Sequence, residues 1–178
     1  MRVHTAYRTF RTAKRQEIID ITDDVEACRA AAGIAEGMVL VSAMHISASV
    51  FVNDHEPGLW ADILDWLEQR IAPWDPDAYR HNSGTGEDNA AAHLRSLTIG
   101  HEVIVPVTSG KLDLGPWLRV FYGEWDGRRP KRVIFKAMGD CPVRSCAQCM
   151  SLRISLGGHR LRPGHPSRRE PSGPRRRG

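Results

Sequence analysis

The order of β-rich and helical segments in the first 140 residues is the feature that most restricts the fold. Two runs suited to strands, "RVHTAYRTFRT" and "QEIIDIT", stand first, and "MVLVSAMH" and "SASVFVN" follow one helical segment. Three further runs, "EVIVPV", "WLRVFYGEW" and "KRVIFKAM", come late and are separated by turn sequences. Strands clustered before and after helices indicate an α+β fold, here a single compact domain of mixed, largely antiparallel sheet with two main helices.

The helical segments have recognisable starts and stops. Thr22 or Asp23 is expected to cap a helix through "DDVEACRAAAGIAEG", and Gly37 is expected to end it. A second helix is predicted to begin at Pro57 and to stop before Pro73. Its apolar residues recur every three or four positions, as in an amphipathic helix: Leu59, Trp60, Ile63, Leu64, Leu67 and Ile71. A polar loop, "WDPDAYRHNSGTGEDN", and a short helix, "AAAHLRSLTIG", follow.

The composition changes near residue 140, which divides the chain into a domain at 1–139 and an extension at 140–178. Residues 141–178 carry nine of the 25 basic residues and one acidic residue, Glu170, so the body is net acidic although the sequence pI is about 9.1. The extension is also rich in Pro and Gly and poor in large apolar residues. Such a segment cannot bury enough apolar surface to offset its ordering entropy, and we expect disorder from about Gly157 onward.

The chain has no run of 18 or more apolar residues and no apolar segment typical of a secretory signal at its start. One cysteine, Cys28, stands in the body, and Cys141, Cys146 and Cys149 crowd together late, unlike a disulfide framework. These observations predict a soluble, cytoplasmic protein with no membrane partner.

The extension raises two hypotheses about binding. Its three cysteines, with His159 or His165 as a fourth ligand, have the donors of a zinc site, although a tail of free thiols is the alternative. Its arginine clusters suit contact with nucleic acid through counterion release, and a solvated extension is the alternative.

Three histidines of the body stand in informative places. His45 ends an apolar run, His81 lies in the polar loop, and His93 falls in the first turn of the short helix. Their separations of 36 and 12 residues match no local zinc motif, so the fold must bring any shared site together. We expect the three to form one pocket, where neutral imidazoles would hold zinc or another transition metal and protonated ones would hold phosphate. Scattered surface histidines are the alternative.

Polar residues near these histidines extend the prediction. Ser47, Ser49 and Asn53 share strand parity with His45, so they form either a ligand-binding face or the polar outside of a sheet. Asp88 stands at the start of the short helix, where it would act as an N-cap. Alternatively, beside an anion-binding helix N-terminus, it would orient a histidine or bind a cation.

The segments "GMVLVSAMHISASVFVND", "YRHNSGTGEDNAAAHLRSLTIGHEVIVPVTSGKLDLGPW" and "EWDGRRPKRVIF" resemble the YjbQ-like family. The family pattern runs His-Thr-Ser-Ala, Tyr-x-His-Asn and Asp-Asn-Ala-x-Ala-His-Leu, then Gly-x-Leu-x-Leu-Gly-Thr-Trp-Gln and Asp-Gly-Pro-Arg-x-Arg. The resemblance covers residues 1–139. It implies a compact α+β fold, a homotrimer and a secondary thiamine-phosphate synthase activity, which joins a hydroxymethylpyrimidine diphosphate to a thiazole phosphate with loss of pyrophosphate.

The resemblance also implies roles for individual residues. His45, His81 and Asp88 fall on motif positions and are the candidate catalytic residues. His93, Trp117 and Arg132 also match the pattern, and with Ser47, Ser49 and Asn53 they are the candidate contacts to a small phosphorylated ligand. Such a reaction commonly uses Mg²⁺, which prefers carboxylate and phosphate oxygens, whereas a group of three histidines suits Zn²⁺.

The chain departs from the pattern at several positions. Ile46 stands where the family has threonine, and Pro116 and Leu118 replace the threonine and glutamine beside Trp117. If the missing hydroxyl and amide groups contact substrate, the activity is weakened or altered. Two other functions therefore stay open: a metal- or phosphate-binding trimer without catalysis, and association with nucleic acid through the arginine-rich extension.

Overall fold

The computed structural model describes residues 1–142, in which eight strands form two antiparallel sheets. The strands are β1 (Arg2–Phe10), β2 (Glu17–Asp20), β3 (Glu36–Ala43), β4 (Ala48–Asp54), β5 (Glu102–Thr108), β6 (Lys111–Leu112), β7 (Leu118–Glu124) and β8 (Lys131–Asp140). A five-stranded sheet has the order β1-β8-β3-β5-β6, and a three-stranded sheet has the order β2-β7-β4. The α+β class and the antiparallel pairing are confirmed. The cysteine and arginine hypotheses for the extension lie largely outside the described residues.

Four α-helices and one π-helical turn complete the described part. They are α1 (Thr22–Ala32), α2 (Pro57–Trp66), the π-helical turn Leu67–Ile71, α3 (Arg80–Thr85) and α4 (Ala90–Ile99). Helix α2 begins at Pro57 as predicted, and the Glu56 carboxylate accepts the N–H groups of Gly58 and Leu59 at 2.7 and 2.6 Å. None of these helices has the length and apolar character needed to cross a bilayer.

Helix α1 differs from its prediction at both ends. Neither Thr22 nor Asp23 caps it. The Asp20 carboxylate, at the end of β2, accepts the Thr22 N–H at 2.9 Å. The helix ends at Gly33, whose φ of +62° is the left-handed conformation that closes a helix, whereas Gly37 belongs to β3.

The polar segment before α4 is not a simple loop, because residues 80–85 form α3. The buried Asn82 side chain of α3 accepts the N–H of Ala90 at 3.0 Å. Thus a residue eight positions upstream satisfies the first N–H of α4, and neither Asp88 nor Asn89 provides a side-chain cap. This bond holds the two short helices together.

The three-stranded sheet separates two hydrophobic cores. Val120 and Tyr122 of β7 face the core shared with α1 and the five-stranded sheet, and Phe121 faces the core beneath α2 and α4. Helix α4 is anchored to this sheet by Ser96, whose hydroxyl donates to the carbonyl of Ala48 at 2.7 Å. The start of β4 therefore lies directly beside α4.

The outer face of the five-stranded sheet carries apolar side chains that nothing in the described chain covers completely. Val3, Tyr7 and Ile104 are 53, 54 and 62% exposed, and Met38 is 39% exposed. The strand register places Val3, Met138, Met38 and Pro106 in one row across the sheet. This side of the five-stranded sheet is called the outer sheet face below.

Candidate functional site

Helices α3 and α4 bring two of the predicted histidines into contact. His81 lies in the first turn of α3 and His93 in the first turn of α4. Their rings meet edge to face with centroids 4.8 Å apart. The bond from Ala90 to Asn82 sets this approach, because it fixes the start of α4 against α3.

The side chain of Asn89 holds both imidazoles. Its Oδ1 lies 3.2 Å from Nε2 of His81 and 3.1 Å from Nε2 of His93. Its Nδ2 donates to Glu87 at 2.6 Å, so the amide oxygen is the atom that faces the rings. Since a carbonyl oxygen can only accept, both rings carry a proton on Nε2, and their Nδ1 atoms keep a lone pair when neutral.

Glu87 completes a group suited to a metal ion. The ligand atoms offered by His81, Glu87 and His93 all lie within 4.8 Å of one another. Two imidazoles with one carboxylate form a donor set typical of catalytic zinc and other transition metals. Metal-binding histidines commonly donate their second N–H to a protein oxygen, and the Asn89 amide oxygen is an acceptor within reach of both rings. Burial and the neighbouring His81 lower the pKa of His93, which favours the neutral, ligating form.

His45 follows β3 in a turn and belongs to a different network. The Ser47 hydroxyl lies 3.0 Å from Nδ1 of His45, and the Ser47 backbone N–H donates to the same nitrogen at 3.3 Å. Lys131 in turn donates to the Ser47 hydroxyl at 2.7 Å. Burial, and then the charge of Lys131, lower the pKa of His45.

The expectation that His45 shares a metal with His81 and His93 stays a prediction. Within residues 1–142, the group with metal-ligand spacing contains Glu87 and does not contain His45.

A buried ion pair stands beneath His45. Lys131 and Glu124 are each 1% exposed, and the ammonium group of Lys131 contacts Oε1 of Glu124. The carboxylate also accepts the backbone N–H groups of Asp126 and Gly127 and the Tyr122 hydroxyl. Burial alone would raise the pKa of Glu124, but the hydrogen bonds from Lys131 and from these groups lower it.

Two cavities meet at these histidines. The first, of about 530 Å³, is called the His45 cavity; it is lined by Ala43, Met44, His45, Ile46, His93, Ser96, Leu97, Gly100 and His101. The second, of about 550 Å³, is called the His81 cavity; it is lined by Ile46, Ala78, Tyr79, Arg80, His81, Ala90, His93 and Leu94. His93 and Ile46 line both, so the two cavities are neighbours and together they border all three predicted histidines.

Two residues expected on the ligand-binding face lie away from both cavities. Ser49 is fully buried and accepts a hydrogen bond from Trp125 at 2.8 Å, because its side of β4 packs beneath the helices. Asn53 lies near the far end of β4, and its amide oxygen accepts the N–H of Asp54. Ser49 and Asn53 lie on the same side of β4, as their spacing predicts. His45 does not share that side, because it stands before the strand in a turn.

Three other candidates also lie outside the two cavities. The Asp88 carboxylate pairs with Arg15 at 3.1 Å, so Asn89 rather than Asp88 orients the histidines. Trp117 is 75% exposed just before β7. Arg132 of β8 lies over the Tyr7 ring on the outer sheet face, with its guanidinium carbon 4.8 Å from the ring centre.

Sequence reasoning missed Glu87, Asn89, Arg80 and the pair of Lys131 and Glu124. One signal was available for Lys131: it shares strand parity with Val133, Phe135 and Ala137 in β8, a pattern that places it on the core side. No periodicity points to Asn89 or Glu87, because they precede a helix and act through side chains from other segments.

Comparison with protein families and curated proteins gives a consistent result. Residues 6–140 match the family model described as "UPF0047 protein YjbQ-like". A UPF0047 protein of Archaeoglobus fulgidus is 45% identical over 130 residues, covering 73% of this chain and 98% of that protein. The UPF0047 protein YugU of Bacillus subtilis is 36% identical over 130 residues, covering 72 and 95%.

Solved structures agree with this result. A YbjQ-like protein of unknown function from Sulfolobus solfataricus superposes with a TM-score of 0.71 at 33% identity, covering 78% of this chain and 98% of that one. An uncharacterised protein of the yjbq/upf0047 family from Clostridium acetobutylicum gives 0.68 at 28% identity, covering 75 and 99%.

Proposed function

This chain belongs to the UPF0047 family of YjbQ-like proteins, and from that membership and its two neighbouring cavities we propose that it binds small phosphorylated ligands. We propose further that it is a transferase with weak thiamine-phosphate synthase activity, which joins a hydroxymethylpyrimidine diphosphate to a thiazole phosphate.

The observation that carries the proposal is that two cavities of similar size share the walls formed by His93 and Ile46. A reaction that joins two molecules needs two adjoining binding volumes, so that the reacting atoms meet at their boundary. His93 stands at that boundary. A protein that binds a single small ligand has no need of the second volume.

The two cavities differ in chemical character. Arg80 and His81 supply nitrogen donors to the His81 cavity, and a guanidinium group binds phosphate oxygens in a two-point manner. Met44 and Leu97 give the His45 cavity apolar walls, which suit a heteroaromatic ring. The diphosphate would therefore lie in the His81 cavity and the apolar ring in the His45 cavity.

A divalent metal fits the same site. His81, Glu87 and His93 would hold it, and this donor set favours Zn²⁺ over Mg²⁺. When bound, such an ion supplies positive charge to phosphate oxygens. Asn89 keeps the two imidazoles in one orientation whether or not an ion is bound.

We also propose that the chain assembles as a homotrimer through the outer sheet face. Val3, Met38 and Ile104 expose apolar area on this face, and exposed apolar side chains grouped on one face are typical of a surface that binds another subunit. Arg132 and Tyr7 stack at its border and would keep the rim polar.

The test is product formation by the purified protein supplied with both phosphorylated substrates. Thiamine phosphate should form, and the His93→Ala substitution should reduce the rate by at least about 100-fold if His93 acts at the reacting centre. His4→Ala provides the control, because His4 lies on β1 outside both cavities. The absence of product, with the protein folded, would remove the catalytic part of the proposal.

A non-catalytic metal- or phosphate-binding trimer is the second candidate. Leu118, which replaces the glutamine of the family pattern, is 43% exposed and supplies no amide group. Binding of zinc or pyrophosphate without any product would favour this candidate. Association with nucleic acid would involve residues 143–178, and salt-sensitive binding that disappears on their removal would support it.

A further inference from the structure

The hydrogen bonds at Nδ1 of His45 determine where its proton lies. The backbone N–H of Ser47 donates to this nitrogen at 3.3 Å, and a backbone N–H can only donate. Nδ1 is therefore an acceptor and carries no proton. In the neutral ring, the proton must then be on Nε2.

The Ser47 hydroxyl points to the same assignment from a second direction. Lys131 donates to the Ser47 oxygen at 2.7 Å, and an ammonium group also can only donate. The hydroxyl proton is left free to donate to Nδ1 of His45, 3.0 Å away. Two donors thus converge on one ring nitrogen.

The buried ion pair keeps this arrangement in place. Glu124 accepts from Lys131, from two backbone N–H groups and from the Tyr122 hydroxyl, so its position is set by four partners. Lys131 is thereby held with its ammonium group toward Ser47, in a region closed to water. The hydroxyl of Ser47, itself 0% exposed, is too buried to act as a nucleophile toward a ligand.

The accessible edge of the His45 ring is the one that carries Nε2. Because Nδ1 faces the buried Ser47, the opposite edge of this half-buried ring lines the His45 cavity. A neutral imidazole with a proton on Nε2 offers a hydrogen-bond donor to that cavity, and it can polarise an oxygen without bringing a full charge.

We propose that Lys131 and Ser47 are positioning residues that hold His45 as a neutral Nε2–H donor directed into the His45 cavity. The group it would meet there is an anionic or carbonyl oxygen of a bound ligand. That last step rests on the proposed function, whereas the proton position of His45 does not. His45 is on this account a hydrogen-bond donor and not a general base or a metal ligand.

The test is nuclear magnetic resonance of the full chain with ¹⁵N-labelled histidine. Long-range ¹H–¹⁵N spectra distinguish the protonated from the unprotonated ring nitrogen, and His45→Gln identifies the signals. The unmodified protein should show a proton on Nε2 of His45 at neutral pH. A proton on Nδ1 would overturn the proposal.

Three variants test the chain of hydrogen bonds from Lys131 through Ser47 to His45. Ser47→Ala removes the hydroxyl donor, and Lys131→Met combined with Glu124→Gln removes both charges without leaving either one buried alone. Ser47→Ala should shift the Nδ1 signal of His45 toward that of a nitrogen with one hydrogen bond fewer, because only the backbone N–H of residue 47 still donates to it. The double variant should shift this signal in the same direction, because the Ser47 hydroxyl loses the Lys131 donor that orients it. Ser49→Ala is the matched control, because this buried serine bonds to Trp125 and not to His45, and it should leave the signals unchanged. If the double variant does not fold, Ser47→Ala decides alone.

Two outcomes of the variant series count against the role of this hydrogen-bond chain. One is an unchanged His45 pattern in the folded Ser47→Ala protein, and the other is an equal change in Ser49→Ala. Activity gives a separate readout: Ser47→Ala should lower kcat more than it raises KM in the condensation reaction. If the unmodified protein forms no product, the proposed function fails while the spectra still decide the proton position.

Discussion

The imidazole rings of His81 and His93 lie edge to face with their centroids 4.8 Å apart, on two short helices. A single side chain, Asn89, bonds to both rings through its amide oxygen. The pair is therefore organised by a residue that would not itself bind the metal. This arrangement leads to the first prediction.

Replacing Asn89 by alanine should weaken zinc binding by about 10–100-fold, because the rings lose the acceptor that orients them. Calorimetric titration with Zn²⁺ measures the effect. Asn53→Ala is the control, since Asn53 bonds only within its own strand end among the described residues. Equal zinc affinity in Asn89→Ala and the unmodified protein would show that Asn89 does not organise the site.

Ile46 stands where the family pattern has threonine, and it is 70% exposed between the two cavities. Ile46→Thr should increase kcat/KM for the condensation, because it returns a hydroxyl to the boundary where the substrates would meet. Stability should change by less than about 0.5 kcal/mol, as at most exposed sites. Trp66→Thr, at an exposed apolar residue of α2 outside both cavities, serves as the control and should leave kcat/KM unaltered. A lower kcat/KM in Ile46→Thr would contradict the prediction.

Asp20 links β2, α1 and β7 through its carboxylate. Burial raises its pKa, but hydrogen bonds from Thr22, Arg119 and His55 outweigh this and lower the pKa from 3.8 to about 2. A group with a depressed folded-state pKa contributes stability above its unfolded pKa and loses that contribution as the pH falls through the folded value. Asp20 therefore stabilises the fold at neutral pH, and the contribution disappears between about pH 4 and pH 2.

The matching experiment compares urea unfolding of Asp20→Asn and the unmodified protein across this pH range. The variant should be less stable by on the order of 1–2 kcal/mol at pH 7, with the difference shrinking toward pH 2. Asp62→Asn, at an exposed position of α2, should show no comparable difference at any pH. A stability difference for Asp20→Asn that persists unchanged at pH 2 would contradict the assignment.

The outer sheet face should determine the oligomeric state. Ile104→Glu places a charge on this face and should convert the proposed trimer to a monomer at micromolar concentration. Light scattering after size-exclusion chromatography measures the mass. Trp66→Glu, at a 45% exposed apolar residue of α2, is the control and should stay trimeric. A monomeric unmodified protein would disprove the assembly.

The extension should be dispensable for folding. The described domain has both hydrophobic cores, and β8 ends at Asp140 with a backbone bond from Ala35. A chain that ends at Pro142 should therefore unfold cooperatively with an unchanged Tm. Loss of cooperative unfolding in the shortened chain would show that residues 143–178 contribute to the domain.

The sequence by itself determined the fold class and most of the strands and longer helices. The β-rich runs of β7 and β8 and the helical stripe after Pro57 each depend on neighbours within a few positions, so local chemistry was enough to predict them. The family motifs likewise marked His45, His81 and His93, which all border the neighbouring cavities.

Only the tertiary structure decided how those histidines are used. Glu87 and Asn89 join His81 and His93 because α3 packs against α4, and Lys131 reaches Ser47 from a strand 84 residues away. Strand parity likewise grouped Ser47 with Ser49, but the turn before β4 separates their environments. Hydrogen bonds between distant segments are set by packing of the two sheets and helices, and no pattern in a single segment encodes them.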